Sequence, residues 1–299
     1  VIGENKKWLV TGATGFFGAN FTSTTDTLVA LTRGNNLPAG YQSQVHGELE
    51  NEKELRAALQ LVKPDYILHA AAMASHEACE ANPERAFQIN ARATQVLAQE
   101  AESVGAKFIY ISTDAVFDGA RGNYCETDPT HPFSIYGESK LKGELAASEA
   151  TDALMVRTNF FGWSPNNNAS ILEFFVNNLE RGKRVPGYTD FTVASLYVQT
   201  LAQLIRAIRD QSGVWNIASR DALSKYEFGV EVANTFGLRS DLISSATSRS
   251  QPGAAVSRSR DISLDTSKLQ EFLATNESGQ LQTQAEGIRQ ALGERGVVL

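Results

Sequence analysis

The chain has 299 residues, of which 42% are hydrophobic and 20% charged, a balance that excludes intrinsic disorder and leaves ample material for a large core. The formal net charge of −7 argues against general nucleic-acid binding. No stretch approaches the roughly 18–20 apolar residues a membrane-spanning helix needs, so the cytoplasm is the expected location.

Trp8-Leu9-Val10 reads as a buried strand that ends in a glycine-rich turn. Thr27 to Leu31 reads as a second strand. Asn51 to Val62 carries helical spacing, with Leu55, Leu59 and Val62 on one face. Asp65 to Ala70 is the next strand, and Pro83 opens a long helix running to about Ser103, closed by Gly105. Lys107 to Ser112 is again a strand, Tyr136 to Ser148 a helix, and Ala153 to Arg157 a strand.

This repeated β-α-β-α order predicts a doubly wound parallel sheet with helices on both faces, and ligands at the carboxyl ends of its strands. The second half is less regular. Helices are expected near 170–181, 195–210, 224–236 and 282–292, a short strand at Val214–Ile217, and mostly loops from Ser240 to Ser263. The expected organisation is an α/β nucleotide-binding domain over 1–160, taking in part of 188–218. A smaller C-terminal lobe would use 161–187 and 219–299.

Residues 11–18 read Thr-Gly-Ala-Thr-Gly-Phe-Phe-Gly. Glycines at 12, 15 and 18, between a strand and a helix, allow a pyrophosphate to approach the backbone, where a helix N-terminus offers N–H donors. Gly18 is expected to let the helix pack on the strand. The second strand leads into Arg33, where an NAD site usually has an acid for the ribose hydroxyls. An arginine there suits a 2′-phosphate, so NADP(H) is favoured, with NAD(H) also admitted. Cys79 and Cys125 are read as free thiols in a reducing compartment.

Tyr136 and Lys140 stand four apart, on one helix face. A phenol with a pKa of about 10 holds its proton tightly, and a neighbouring ammonium would lower that value. Thr113, just after a strand, would hold a carbonyl oxygen by a hydrogen bond. Together they suit reduction of a ketone. His69 is read as a packing or hydrogen-bonding residue, and Asp114 and Asp118 as turn formers.

The blocks TGATGFFG, HAAA at 69–72, STDAVFDG at 112–119, HPFSIYGESKLKGE around Tyr136 and RTNFFG at 157–162 resemble extended short-chain dehydrogenases. More narrowly, they are similar to the dTDP-4-dehydrorhamnose reductase family. The resemblance implies a Rossmann-type sheet, a nucleotide-sugar substrate and a keto reduction by Tyr136, Lys140 and Thr113; a homodimer is compatible with it.

It also implies roles for other residues. Gly12, Thr14, Gly15, Phe16, Phe17 and Gly18 would frame the pyrophosphate, and Glu48 and Leu49 would flank the adenine. Ala70, Ala71 and Ala72 would line the dinucleotide, and Asn90 would support the strand ends. Lys140 would also hold the nicotinamide ribose. Val116, Phe117, Asn159, Phe160, Trp163 and Arg258 are the implied substrate contacts. The chain departs from the family at Ala115, at Asn159 and at Arg258-Ser259-Arg260, all toward the substrate end. Two rival readings share the fold: an NAD-retaining nucleotide-sugar epimerase or dehydratase, and a non-catalytic NADP-binding regulatory subunit.

Overall fold

Trp8, Leu9 and Val10 are fully buried, and the strand that carries them, β1 (Lys7–Thr11), pairs in parallel on both edges. The computed structural model describes residues 5–165, 170–247, 261–277 and 279–295. After β1 come α1 (Phe16–Asn20), β2 (Thr27–Thr32), β3 (Ser43–His46), α2 (Glu52–Val62) and β4 (Tyr66–His69). Next are α3 (His76–Ala81), α4 (Pro83–Phe87) and, after a π-helical turn over Gln88–Arg92, α5 (Ala93–Val104). β5 (Lys107–Ile111), α6 (Ile135–Ala147) and β6 (Leu154–Arg157) follow.

The helices begin and stop where the chemistry directs. Asn51 caps α2 by accepting from the Glu54 N–H, and Ser134 caps α6 by accepting from the Gly137 N–H. Gly105 ends α5 in the left-handed conformation, with φ 71°.

The chain continues through β7 (Phe160–Phe161), α7 (Ile171–Glu180), β8 (Val185–Tyr188), β9 (Thr192–Val193), β10 (Leu196–Tyr197), α8 (Val198–Ala207) and β11 (Gly213–Asn216). It ends with β12 (Leu223–Ser224), α9 (Lys225–Phe236), β13 (Ile243–Ala246), α10 (Ser267–Thr275) and α11 (Gln284–Glu294). Ser170, Ser224 and Thr283 open α7, α9 and α11 with reciprocal capping boxes.

The main sheet has seven strands in the order β11-β6-β5-β4-β1-β2-β3. The order reverses between β1 and β4, which is where a doubly wound sheet opens its binding crevice. One side of the sheet packs α2, α5 and the end of α6 through Leu55, Leu59, Val96, Leu97, Phe108 and Ala147.

The chain divides into two compact units. One comprises the chain through Val116 with Ser134–Val156 and Ile205–Val214; the other comprises Phe117–Phe133, Arg157–Leu204 and the chain from Trp215 onward.

Several elements differ from expectation. The helix expected from Pro83 to Ser103 contains the π-helical turn. The strand β3, Ser-Gln-Val-His, has no apolar run and owes its existence to pairing with β2. The stretch expected to be mostly loop from Ser240 contains β13, which pairs with β8. α10 was not foreseen.

Candidate active site

β1 ends at Thr11, and the chain turns at Gly12 with φ 71°, a conformation that favours glycine. A Cβ on Gly12 would come within 2.8 Å of the Ala71 nitrogen. The turn therefore lies flush against the loop that follows β4. Gly15 N–H donates to the Gly12 carbonyl at 2.8 Å. A Cβ on Gly18 would sit 2.7 Å from the Ala13 Cα, so α1 packs onto the turn itself rather than onto the strand. α1 has only five residues, and the cradle is made by the backbone turn more than by the end of a long helix.

Thr14 is exposed at the tip of the turn, while Gly15 and Phe16 are half-buried. Phe17 is buried, with its ring 5.9 Å from that of Phe21. Its side chain anchors the turn from within.

Ala70, Ala71 and Ala72 are half-buried and carry no side chain beyond Cβ. Two devices fix this loop. Asn90, buried on the π-helical turn, accepts from the Met73 N–H at 2.8 Å and donates to the Met73 carbonyl at 3.0 Å. Its amide also donates to Ser139 Oγ at 2.8 Å.

The second device runs through His69. Ala71 N–H donates to Thr11 Oγ1 at 3.1 Å, and Thr11 Oγ1 lies 2.7 Å from His69 Nδ1. On the other side His69 Nε2 lies 3.0 Å from Thr94 Oγ1, which donates to the Asn90 carbonyl at 2.8 Å. Thr94 has spent its one proton, so Nε2 must be the donor and Nδ1 the acceptor. Burial pushes His69 down to about 3, and the ring stays neutral. His69 thus acts by hydrogen bonding, as its strand-end position suggested.

Arg33 is exposed, one residue beyond β2. Glu48 is exposed, and its N–H donates to Glu54 Oε2 at 3.0 Å. Leu49 packs against the core beneath the sheet.

The carboxyl end of β5 meets α6 residue by residue. The Ile111 carbonyl accepts from Lys140 Nζ at 2.6 Å. Ser112 Oγ donates to Glu144 Oε1 at 2.6 Å. The Thr113 hydroxyl is hydrogen-bonded with the Tyr136 phenol. Three consecutive residues, the last of β5 and the two that follow it, thus engage one helix through positions spaced four apart.

Thr113 donates to Asp114 Oδ1 at 3.0 Å and accepts from the Ala115 N–H at 3.1 Å. The imidazole of His76, from the first turn of α3, lies 4.8 Å from the Tyr136 ring. His76 was not singled out in the sequence, because a lone histidine at a helix start carries no signal until the fold brings it to the phenol.

The electrostatics run against expectation. Burial pushes the Tyr136 phenol up to about 12, with Asp114 and Cys79 acting in the same direction. Burial pushes Lys140 down to about 7, opposed by Glu144. Lys140 Nζ sits 4.0 Å above the Tyr110 ring, and the protein holds the phenol as a proton donor rather than as a phenolate.

The expected substrate residues separate. Val116 and Phe117 are fully buried, and Phe117 stacks on Tyr124 at 4.3 Å with the Arg157 guanidinium 5.0 Å from its centre. Phe117 thus packs against both Tyr124 and Arg157. Asn159 is half-buried, and its Oδ1 accepts from Ser195 Oγ at 2.6 Å. Phe160, in β7, is half-buried. Trp163 donates from Nε1 to the Ala291 carbonyl at 2.8 Å and meets Phe236 edge-on. Arg258 lies outside the described residues.

The family model described as RmlD substrate binding domain matches residues 6–293. The chain belongs to this family. The RmlD-type chain carries the parallel Rossmann-type sheet of extended short-chain dehydrogenases, as its motifs implied. It is 31% identical over 288 residues to methionine adenosyltransferase 2 subunit beta of Danio rerio, covering 89% of this chain and 84% of that one. A hypothetical dTDP-4-dehydrorhamnose reductase from Sulfolobus tokodaii superposes with a TM-score of 0.80 at 27% identity, covering 90% and 95% of the two chains. The dTDP-4-dehydrorhamnose reductase of Bacillus anthracis, solved with NADP, superposes with a TM-score of 0.82 at 23% identity, covering 97% and 99%.

Proposed function

We propose that this RmlD-family chain is an NADPH-dependent reductase of a keto group on a nucleotide-activated sugar. The observation that carries the reading is the end of β5, where Thr113 meets Tyr136 and Ile111 holds Lys140. By strand register, Thr11, His69 and Tyr110 lie level, so this end is two strands from the glycine turn.

The residues present suit a dinucleotide. Backbone packs flush around Gly12 and Gly18, and the Ala70–Ala72 loop keeps bulky side chains away from the turn. In this reading Gly12, Thr14, Gly15 and Phe16 hold the pyrophosphate, and Arg33 the 2′-phosphate. Glu48 and Leu49 hold the adenine end, Ala70–Ala72 the middle, and Asn90 keeps the loop in place. Val116, Phe117, Asn159, Phe160, Trp163 and Arg258 are the substrate candidates. The bound cofactor supplies hydride to the keto carbon. The Tyr136 phenol gives its proton to the developing alkoxide, and the Lys140 ammonium offsets the charge the phenol acquires. Thr113 can turn its hydroxyl from Asp114 to the substrate oxygen.

Replacing Tyr136 by Phe is expected to lower kcat at least about a thousandfold, within the usual range for removing a general acid, while NADPH affinity changes little. Stopped-flow NADPH oxidation and fluorescence titration check both. Full turnover in the variant would remove Tyr136 from the mechanism.

A second reading is supported by the similarity to methionine adenosyltransferase 2 subunit beta: a subunit that binds the dinucleotide without turning it over. The intact Thr113, Tyr136 and Lys140 set favours catalysis. A panel of dTDP-, UDP- and GDP-linked keto sugars with NADPH separates the two, since a non-catalytic subunit oxidises no NADPH with any of them. An NAD-retaining epimerase would instead keep its cofactor through gel filtration.

A further inference from the structure

Lys140 is buried to 2% exposure and Glu144 to 5%. An ammonium withdrawn this far from water is costly unless an opposite charge stays close. The carbonyl of Ile111 and the ring face of Tyr110 supply partial charges only. Glu144 lies one helical turn further along the same face of α6, and the hydroxyl of Ser112 pins its carboxylate.

The titratable groups around this face come from four places. β5 supplies Tyr110, held protonated by burial well above its ordinary value. β4 supplies His69, neutral as shown above. The turn after β5 supplies Asp114, and α3 supplies His76 and Cys79; Asp114 and Cys79 act on Tyr136. The anion acting on Lys140 is Glu144.

We propose that Glu144, anchored by Ser112, is a positioning residue: its buried carboxylate is the counter-charge that keeps Lys140, one helical turn from Tyr136, an ammonium. The importance of that ammonium for turnover rests on the reductase reading, but the charge pairing itself does not. The consequence is a division of labour along one helix. Tyr136 gives the proton, Lys140 supplies positive charge, and Glu144 makes that charge affordable without touching substrate or cofactor. The pairing also gives a role to the serine that directly follows β5: a hydroxyl at 112 both orients the carboxylate and satisfies one of its lone pairs.

The test uses the full-length protein labelled with 13C-lysine, following the Lys140 side-chain signal through a pH titration by NMR. The signal is assigned by its loss in Lys140→Met. Glu144→Gln is expected to lower the titration midpoint of Lys140 by at least one pH unit, a tenfold loss of proton affinity. Glu144→Asp, which keeps the charge, restores at least half of the difference. The alkaline limb of the NADPH-oxidation profile moves down with the midpoint. A Glu144→Gln protein that melts like the parent and titrates Lys140 at the parental pH overturns the proposal. If Glu144→Gln does not fold, Ser112→Ala decides: releasing the carboxylate lowers the midpoint, and an unchanged midpoint overturns the proposal equally. A shifted midpoint in a protein that reduces no keto sugar would defeat the reductase reading and leave the charge pairing intact.

Discussion

His69 shows how much one side chain can fix without touching substrate. Its two nitrogens join Thr11, at the threshold of the glycine turn, to Thr94 behind the π-helical turn. A proton on both nitrogens would place two donors where one donor and one acceptor are required. Burial, joined by the Lys140 charge, also makes the folded ring resist protonation down to about pH 3, whereas an unfolded chain takes the proton near pH 6.5. Between those values the unfolded state binds more protons, so stability rises with pH and is lost as pH falls. The loss is expected to be about 1.4 kcal/mol for each pH unit below 6.5. Urea unfolding across pH 4 to 7 measures it, and His69→Gln, which keeps an amide donor and acceptor, should remove that component of the slope. Equal slopes in the two proteins would show that the ring titrates in the fold. The Thr113, Tyr136 and Lys140 constellation was legible as spacing in the sequence. Glu144 stood in the same spacing, four residues beyond Lys140, but a glutamate on a helix is ordinarily solvated; only its burial marks it.

Among the elements, the alternating strands and helices through β6 were legible because each central strand is a nearly continuous apolar run. What escaped notice was held by tertiary partners. β3 is polar and exists by pairing with β2. The π-helical turn breaks no composition rule, yet it turns Asn90 inward, where the amide clamps Met73. α6 depends on a close approach of the same kind. A Cβ on Gly143 would overlap the Tyr110 hydroxyl and the Asn90 carbonyl, and the Tyr110 hydroxyl already donates to the Asn90 and Lys140 carbonyls at 3.2 and 3.3 Å. Gly143→Ala must push α6 away from β5 and the π-helical turn. The expected destabilisation is about 1–3 kcal/mol, the usual cost of overpacking, despite alanine's better helix propensity. Because Lys140 rides on the same helix, NADPH affinity should fall with it. Chemical denaturation and cofactor titration on one preparation check both, and a stabilised variant would mean that the helices have room to spare.

For the molecule as a whole, the sheet order decides which loops can share a ligand, and net charge decides what must be done locally. With β2 beside β1 and Leu31 level with Thr11, Arg33 lies one residue further along than the level of Gly12. It stands on the opposite side of β1 from the loop after β4. A dinucleotide crossing the β1–β4 reversal would place its adenosine end on this side. A chain of net charge −7 provides no long-range attraction for a polyanion such as NADPH, so discrimination between NADPH and NADH must come from short-range contacts. Arg33 is exposed, and a guanidinium on a phosphate forms paired charge-assisted hydrogen bonds. Losing them should cost about 1.5–3 kcal/mol, or roughly 10- to 100-fold in NADPH affinity. NADH, which has no 2′-phosphate, should bind Arg33→Ala as it binds the parent. Fluorescence titrations of both nucleotides at two salt concentrations distinguish the outcomes. A selective loss of NADPH affinity that shrinks at high salt assigns the 2′-phosphate to Arg33, because such contacts are screened. An equal change for both nucleotides would instead place Arg33 away from the phosphate and return the choice of cofactor to the Glu48 side of the crevice.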